Sequence, residues 1–577
     1  MLPEQADSQN SLDENPSVPT TQATPQEKWL GVLLAGMSLL LIIALVRMSV
    51  ASPLHILNPA DLPASTEETS LASNAPSVVA DVDEAMEKIW DRNAHVPARQ
   101  AEELQVFRRL SLVLHGTIPS VEEIRRFQAD TRAEKWQHWI DERLADPRFA
   151  NYFAERLARV YVGADIGQFI IYRRDRYKAW LIDQLATNRP YNELVYEMIS
   201  ASGLWTSQQA ANFVTSVVDG NTIDYNELTG RSVRAFLGQR IDCAECHDHP
   251  FADWKQDDFE GLAAFYGSTQ VTIAGVEDSQ RFKYTVKDAD TLEDRVIAPK
   301  VPFHPEWLPE TGTSRERLAG WVTHPENTRF TRATVNRVWG LMFGVPYSMG
   351  GALPLAVDDM LDPEMATQDD PIIDLLANDF REHNYDLRHL IRNIAMLKAF
   401  QLDSLAMDEQ GNELVRSPTD EQDWSIFPLT RLRPEQVIGS MLQSTALKTI
   451  DQDSHVLSRT IKFFREIDFV KEYGDLGDDE LNDRTATIPQ ALLRMNGRFS
   501  SETLSTGPFN ATGRIAALVD SPQATIETCF LMTLTRTPTK EEKASIQELF
   551  GQQGTRAENV EDLCWALFNS PEFGWLH

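Results

Sequence analysis

The stretch Asp242-Cys243-Ala244-Glu245-Cys246-His247-Asp248-His249-Pro250-Phe251 sets two thiols three positions apart, with an imidazole directly after the second. This is Cys-x-x-Cys-His, the attachment pattern of c-type haem. The spacing suits that chemistry. Each thiol forms a thioether with one edge of the porphyrin, and the adjoining His becomes the proximal ligand of the iron. Cys243, Cys246 and His247 are therefore the candidate cofactor-binding residues, with His247 on the haem iron. Three other readings stand beside this one. The two Cys could close a disulfide, hold zinc together with His247 and His249, or remain thiols without a ligand. The adjacent His favours haem, because a redox Cys pair does not need it. Zinc sites also usually draw a second ligand pair from far along the chain, and no second Cys-x-x-Cys or His-x-x-x-His exists here.

Outward from the motif the chain reads as helical. Glu227 to Gln239 has helical character and leads into the motif. Pro250 disfavours helix at His249, so the chain turns just after His247. Asp257 or Asp258 is expected to cap the next helix, whose apolar face is Phe259, Leu262, Ala263 and Tyr266. The motif then sits at a junction between two helices. Phe251, Trp254, Phe259 and Phe265 are the expected aromatic walls for a porphyrin edge.

Further upstream, Phe107, Leu110, Leu114 and Ile118 recur at helical spacing. Ser120 with Glu123 forms a capping box after Pro119. Trp136, Trp139, Ile140 and Leu144 continue the pattern, as do Phe149, Phe153, Leu157 and Tyr161. These stripes read as core. Downstream, Val271 to Gly275 and Phe282 to Val286 read as short strands joined by a Gly/Asp/Ser turn. Helices resume at Ser314, and Thr537 to Glu542 repeats the Pro and capping-box start.

The 577 residues suffice for about three or four domains. A 42% hydrophobic content permits a large core. The formal net charge of −32 argues against a nucleic-acid partner, because phosphate binding needs a basic surface. Four Cys are too few for a disulfide scaffold. Cys529 and Cys564 lie in apolar runs and read as small core residues.

Residues 1–27 are polar and acidic and read as a disordered cytoplasmic tail. Trp29 to Val46 runs eighteen residues without a charge, between Lys28 and Arg47. At helical rise that spans about 27 Å, close to the bilayer hydrocarbon thickness. Residues 28–48 are therefore read as a single transmembrane helix, with 49–80 as a linker. A cleaved signal peptide ending near Ser49-Val50-Ala51 is the rival reading. The expected organisation continues with a helical domain at 81–268, a β-containing connector at 269–313 and a second helical domain at 314–577. The fold class is mainly α: a multi-helix globular region with a small β insertion, preceded by one transmembrane helix.

Several stretches together resemble one family. They are Arg108-Arg109-Leu110-Ser111-Leu112 with Gly116 and Pro119, Pro190-Tyr191, Phe236-Leu237-Gly238, and the run from Cys243 to Phe251. The family is the planctomycete cytochrome-c-type group of unknown function, whose PSCyt-two domain is followed by a PSD-one domain. The second domain is suggested by Arg332, Val335-Asn336-Arg337-Val338-Trp339 and Phe343-Gly344. Arg431 to Glu435, Pro489 to Leu492 and Phe568 to Phe573 agree with it. The resemblance carries over Cys243, Cys246 and His247 as the haem-type motif. It implies an exported, membrane-associated protein with a redox role, and supplies no substrate.

The expectation is a monohaem protein of the bacterial inner membrane. Its single helix holds it there, its C-terminal region lies in the periplasm, and it serves a redox partner protein. Met198, Met342, Met349 and His115 are the candidates for a sixth iron ligand. The alternatives are a non-haem metal site at Cys243, Cys246, His247 and His249, and a helical scaffold that binds a partner. No Gly-x-Ser-x-Gly elbow, His-Glu-x-x-His or phosphate-binding Gly loop occurs.

Overall fold

A computed structural model describes residues 77–577, apart from 165–170, 288–292, 348–359, 361–370, 407–412, 451–468, 475–486, 497–509 and the single positions 221, 251, 416, 447, 471, 520 and 553. The tail 1–27, the transmembrane helix 28–48 and most of the linker 49–80 lie outside the described residues. Among the described residues no helix is long and apolar enough to cross a membrane.

The described chain is mainly helical. The first half contributes α1 (Val78–Asn93), α2 (Glu103–His115), α3 (Val121–Ala129), α4 (Lys135–Ala145) and α5 (Pro147–Val162). It continues with α6 (Arg174–Ala186), α7 (Tyr191–Ser200), α8 (Tyr225–Leu237) and α9 (Gln256–Tyr266). The second half contributes α10 (Ser314–Val322), α11 (Thr328–Phe343), α12 (Ile372–Glu382), α13 (Leu387–Met396) and α14 (Pro434–Ser444). Then follow α15 (Ile488–Asn496), α16 (Ala511–Leu518), α17 (Pro522–Leu534), α18 (Lys540–Gln552) and α19 (Arg556–Asn569). Local chemistry fixes many of the starts. Ser120 Oγ accepts the Glu123 amide at 3.1 Å, and Glu123 Oε2 accepts the Ser120 amide at 2.8 Å, completing the expected box. The Thr539 and Glu542 pair does the same for α18.

Short antiparallel pairs supply the β structure: Val218–Asp219 with Thr222–Ile223, Thr269–Thr272 with Gly275–Asp278, Thr285–Lys287 with Asp294–Val296, and Thr430–Arg431 with Trp575–Leu576. The connector thus holds two hairpins, and neither has the expected boundaries. The first closes through Ile273 and Ala274, with Thr272 opposite Gly275. Val276, next in that strand, exchanges backbone hydrogen bonds with Gly203 at 2.8 and 2.9 Å, and Gly275, at φ 117°, lies against the same backbone. A Cβ there would sit 2.0 Å from the Gly203 carbonyl carbon, so only Gly permits the approach.

One hydrophobic cluster runs from Val82 to Leu576, so the stretches 81–268 and 314–577 share a core. Helix α8 packs on α11, and α7 on α10. Tyr191 of α7 stacks on Phe330 of α11, with centroids 5.7 Å apart. Arg315 of α10 is fully buried. It donates to Asp278 at 2.9 and 3.0 Å, to the Ala201 carbonyl at 2.6 Å and to Ser202 Oγ at 2.8 Å. That guanidinium ties the connector to the end of α7, with its charge paired and its donors satisfied as a buried cation requires. A satellite cluster of Phe107, Ile124, Phe127, Trp139 and Leu531 confirms that the early aromatic stripes are core.

Candidate functional site

Asp224 caps α8, accepting the Asn226 and Glu227 amides at 3.0 and 2.9 Å. The helix ends at Gly238 in the left-handed region, at φ 64°. A Cβ on Gly238 would lie 3.1 Å from both Ala333 Cβ and Met360 Sδ, so the exit from α8 is held tightly against α11. Gln239 follows, and its amide donates to the Met360 carbonyl.

The motif itself is a single 3-10 turn, Asp242–Glu245, with Cys246 at its end. In such a turn residues three apart eclipse one another. Ile241 and Ala244 therefore share the inner face and are fully buried. Cys243 and Cys246 share the outer face, and both are exposed free thiols. His247 is exposed beside them. Its Nδ1 lies 2.8 Å from the Asp248 carbonyl oxygen. A carbonyl only accepts, so Nδ1 carries the proton and Nε2 presents a lone pair to solvent. That is the tautomer a metal-ligating imidazole adopts.

The turn is anchored from behind. Asn226 donates to Glu245 Oε1 at 2.9 Å, and the Tyr284 hydroxyl donates to Asn226 at 2.6 Å. Burial, with Glu260 and Glu245 nearby, pushes Tyr284 up to about 12, so it remains a neutral donor. Trp254 is buried and donates through Nε1 to Gln239 at 3.1 Å, while its carbonyl accepts the His249 amide at 2.8 Å.

Helix α9 starts earlier than expected, at Gln256. The Gln256 amide is taken by Asp248 of the motif at 3.0 Å. Asp258 accepts the Lys255 amide at 3.1 Å and so closes the first turn from inside it, and neither Asp257 nor Asp258 is the capping residue. His249 Nδ1 accepts the Ala252 amide at 2.9 Å, so this nitrogen is committed to the turn around Pro250.

Among the described residues the two thiols lie exposed on one side of this turn with an exposed imidazole beside them, an arrangement whose chemistry suits a covalently held haem. The expected aromatic walls are different. Trp254, Phe259 and Phe265 are buried in the core, and Phe251 lies outside the described residues. The zinc alternative gains less. Donor atoms of three of Cys243, Cys246, His247 and His249 do not come within 4.8 Å of one another.

Of the expected sixth-ligand candidates, Met198 and His115 are engaged elsewhere. Met198 is fully buried and its Sδ accepts the Tyr177 hydroxyl at 2.7 Å. Met342 is fully buried. His115 is buried with Nε2 2.9 Å from the Arg143 carbonyl. Met349 lies outside the described residues.

A second set of chemistry-bearing side chains escaped the sequence reading. Asp379, His383 and His389 bring three ligand atoms within 4.8 Å of one another at the junction of α12 and α13. The signal was present as Asp-x-x-x-His on one helix, followed by a His at the start of the next. It was hidden because the two His residues are six apart, and only the turn between the helices joins them.

Comparison with curated proteins returns no match, and comparison with solved structures returns none. Residues 81–271 match PSCyt2, described as a protein of unknown function (DUF1549). Residues 314–466 match PSD1, also described as a protein of unknown function (DUF1553). The chain belongs to the family in which a PSCyt2 domain is followed by a PSD1 domain.

Proposed function

We propose that this is a membrane-anchored, periplasm-facing protein of the bacterial inner membrane that carries one haem c on Cys243, Cys246 and His247 and exchanges electrons with a redox partner protein. The observation that carries the reading is the outer face of the 3-10 turn, with two exposed thiols and the adjacent His247 holding its Nδ1 proton on the Asp248 carbonyl. The cytochrome-like domain name and the uncharged run Trp29 to Val46 support the export and anchoring parts.

When bound, haem supplies one-electron redox chemistry. The protein's own residues do the rest. Cys243 and Cys246 hold the group covalently, so it stays in place without a deep pocket. His247 offers Nε2 to the metal, and its hydrogen bond to the Asp248 carbonyl fixes the ring. Ile241, Ala244 and Trp254 are buried and anchor the turn to the core. An exposed attachment face shortens the path to a partner protein.

The test is expression of the exported region together with haem-maturation machinery. A haem-stained band is expected to persist after denaturation and to vanish in Cys243→Ser and Cys246→Ser. A pure, folded protein that never stains under these conditions overturns the reading. Stoichiometric zinc on the same residues would replace it with the non-haem alternative.

A further inference from the structure

We infer that Asp379, His383 and His389 form a binding site for one divalent transition-metal ion of the zinc class, separate from the Cys243 turn. Asp379 lies in the last turns of α12, and His383 follows one helical turn later as its end residue. Asn384 and Tyr385 then both take left-handed conformations, at φ 55° and 56°. Two consecutive side-chain-bearing residues in that region are unfavourable. They fold the chain back sharply, so that α13 starts beside the end of α12. Asp386 caps α13 by accepting the His389 amide at 2.9 Å, which fixes the His389 backbone.

The sharp turn brings the two imidazoles face to face, with centroids 3.9 Å apart at 23°. Both reach the same carboxylate, and His383 Nδ1 also lies 2.9 Å from the Asp379 backbone carbonyl oxygen, a contact it leaves when it binds an ion. His389 Nε2 is 2.8 Å from Asp379 Oδ2, and His383 Nδ1 is 3.1 Å from Asp379 Oδ1. Ligands held at about 2.0–2.1 Å by a tetrahedral ion lie about 3.3 Å from one another. The two His–carboxylate separations lie within about half an ångström of that value, and one ligand atom from each of the three residues lies within 4.8 Å of the others.

Hydrogen bonds alone serve His389 poorly. Asn393 Nδ2 lies 2.9 Å from Asp379 Oδ2 and 2.9 Å from His389 Nε2. If Nε2 donates to the carboxylate, two nitrogen donors crowd each other. If Nε2 is bare, two lone pairs oppose at 2.8 Å. A cation at the centre removes the conflict: Nε2 and Oδ2 both face it, and Asn393 supports the carboxylate from outside, as an outer-shell partner does. Two imidazoles and one carboxylate select zinc-class ions over magnesium or calcium, which prefer oxygen. His383 is nearly half exposed, so a fourth position is open to water or a small ligand.

The test uses the full chain with Cys243→Ser and Cys246→Ser, stripped by chelator, so that a failure here says nothing about haem attachment. Cobalt(II) is titrated by visible absorption and zinc by calorimetry. One equivalent is expected to bind, with no competition from magnesium. His383→Ala, at a half-exposed position, is expected to abolish binding while the circular dichroism stays native, and His389→Ala is expected to abolish it too. Asn393→Ala is expected to weaken binding about 10- to 100-fold. Absence of saturable binding by either ion, or binding that survives His383→Ala with native circular dichroism, overturns the inference.

Discussion

Asp248, in the middle of the Cys-x-x-Cys-His-Asp-His run, accepts the backbone amide of Gln256, the first residue of the next helix, at 3.0 Å. One carboxylate therefore joins the candidate attachment turn to α9. The contact satisfies a helix-start amide that otherwise has no partner within the helix.

Replacing that carboxylate separates the two roles of the motif. Asp248→Ala is expected to cost about 1 kcal/mol, the usual loss for a helix cap, while Asp248→Asn retains most of it. Thermal unfolding of the two variants measures the difference. The thiols and His247 remain in place, so attachment competence is expected to survive in both.

Much of this neighbourhood was legible in the sequence, and the misses share a cause. The Ser120 and Glu123 box, the turn forced before Pro250 and the helix ending near Gly238 depend on residues close in sequence. The start of α9 was misplaced because its first amide is taken by Asp248, eight positions back across a loop. The aromatic walls were misassigned because periodicity cannot tell a face lining a groove from one packed in the core; Phe259 and Phe265 proved to be core. The strand read over Val271 to Gly275 is instead two, turning at Ile273 and Ala274, because Val276 bridges to Gly203, more than seventy residues away. The Asp379, His383 and His389 group depends on two left-handed residues that no local signal marks.

Buried imidazoles and a buried carboxylate make the stability of the interior depend on pH. Burial, with Arg148 and Arg143 nearby, lowers His115 to about 3, and the same causes in the C-terminal core, burial and then Arg108, lower His577 to about 3. Both imidazoles are neutral when folded, while the unfolded chain takes up their protons below its ordinary value of about 6.5. The unfolded state thus binds more protons, so stability falls as pH drops from about 6.5 toward 3, by up to about 1.4 kcal/mol per pH unit for each group. Glu123 adds to the loss lower down. Burial raises it, but Arg143 and Arg148 outweigh burial and hold it well below the usual carboxylate range. Its contribution is present above its ordinary value and is lost as pH falls through its folded value. Denaturant unfolding between pH 7 and 5 is expected to show the slope, and His115→Gln is expected to flatten it by about 1 kcal/mol per pH unit.

The four thiols are expected to divide into two classes. Cys243 and Cys246 are exposed, whereas Cys529 and Cys564 are buried in α17 and α19. A hydrogen bond with Cys529, together with burial, raises the Cys564 thiol well above its ordinary value. Alkylation of the cofactor-free folded chain is therefore expected to modify two thiols quickly, and the other two only on unfolding. Matured protein is expected to show no fast thiol.

The most direct measurement is the intact mass of the denatured exported chain after maturation. Covalent attachment requires the chain to be heavier by one haem, and that increment to disappear in Cys243→Ser with Cys246→Ser. An unmodified mass, from folded protein made alongside a control cytochrome that does acquire haem, contradicts the account.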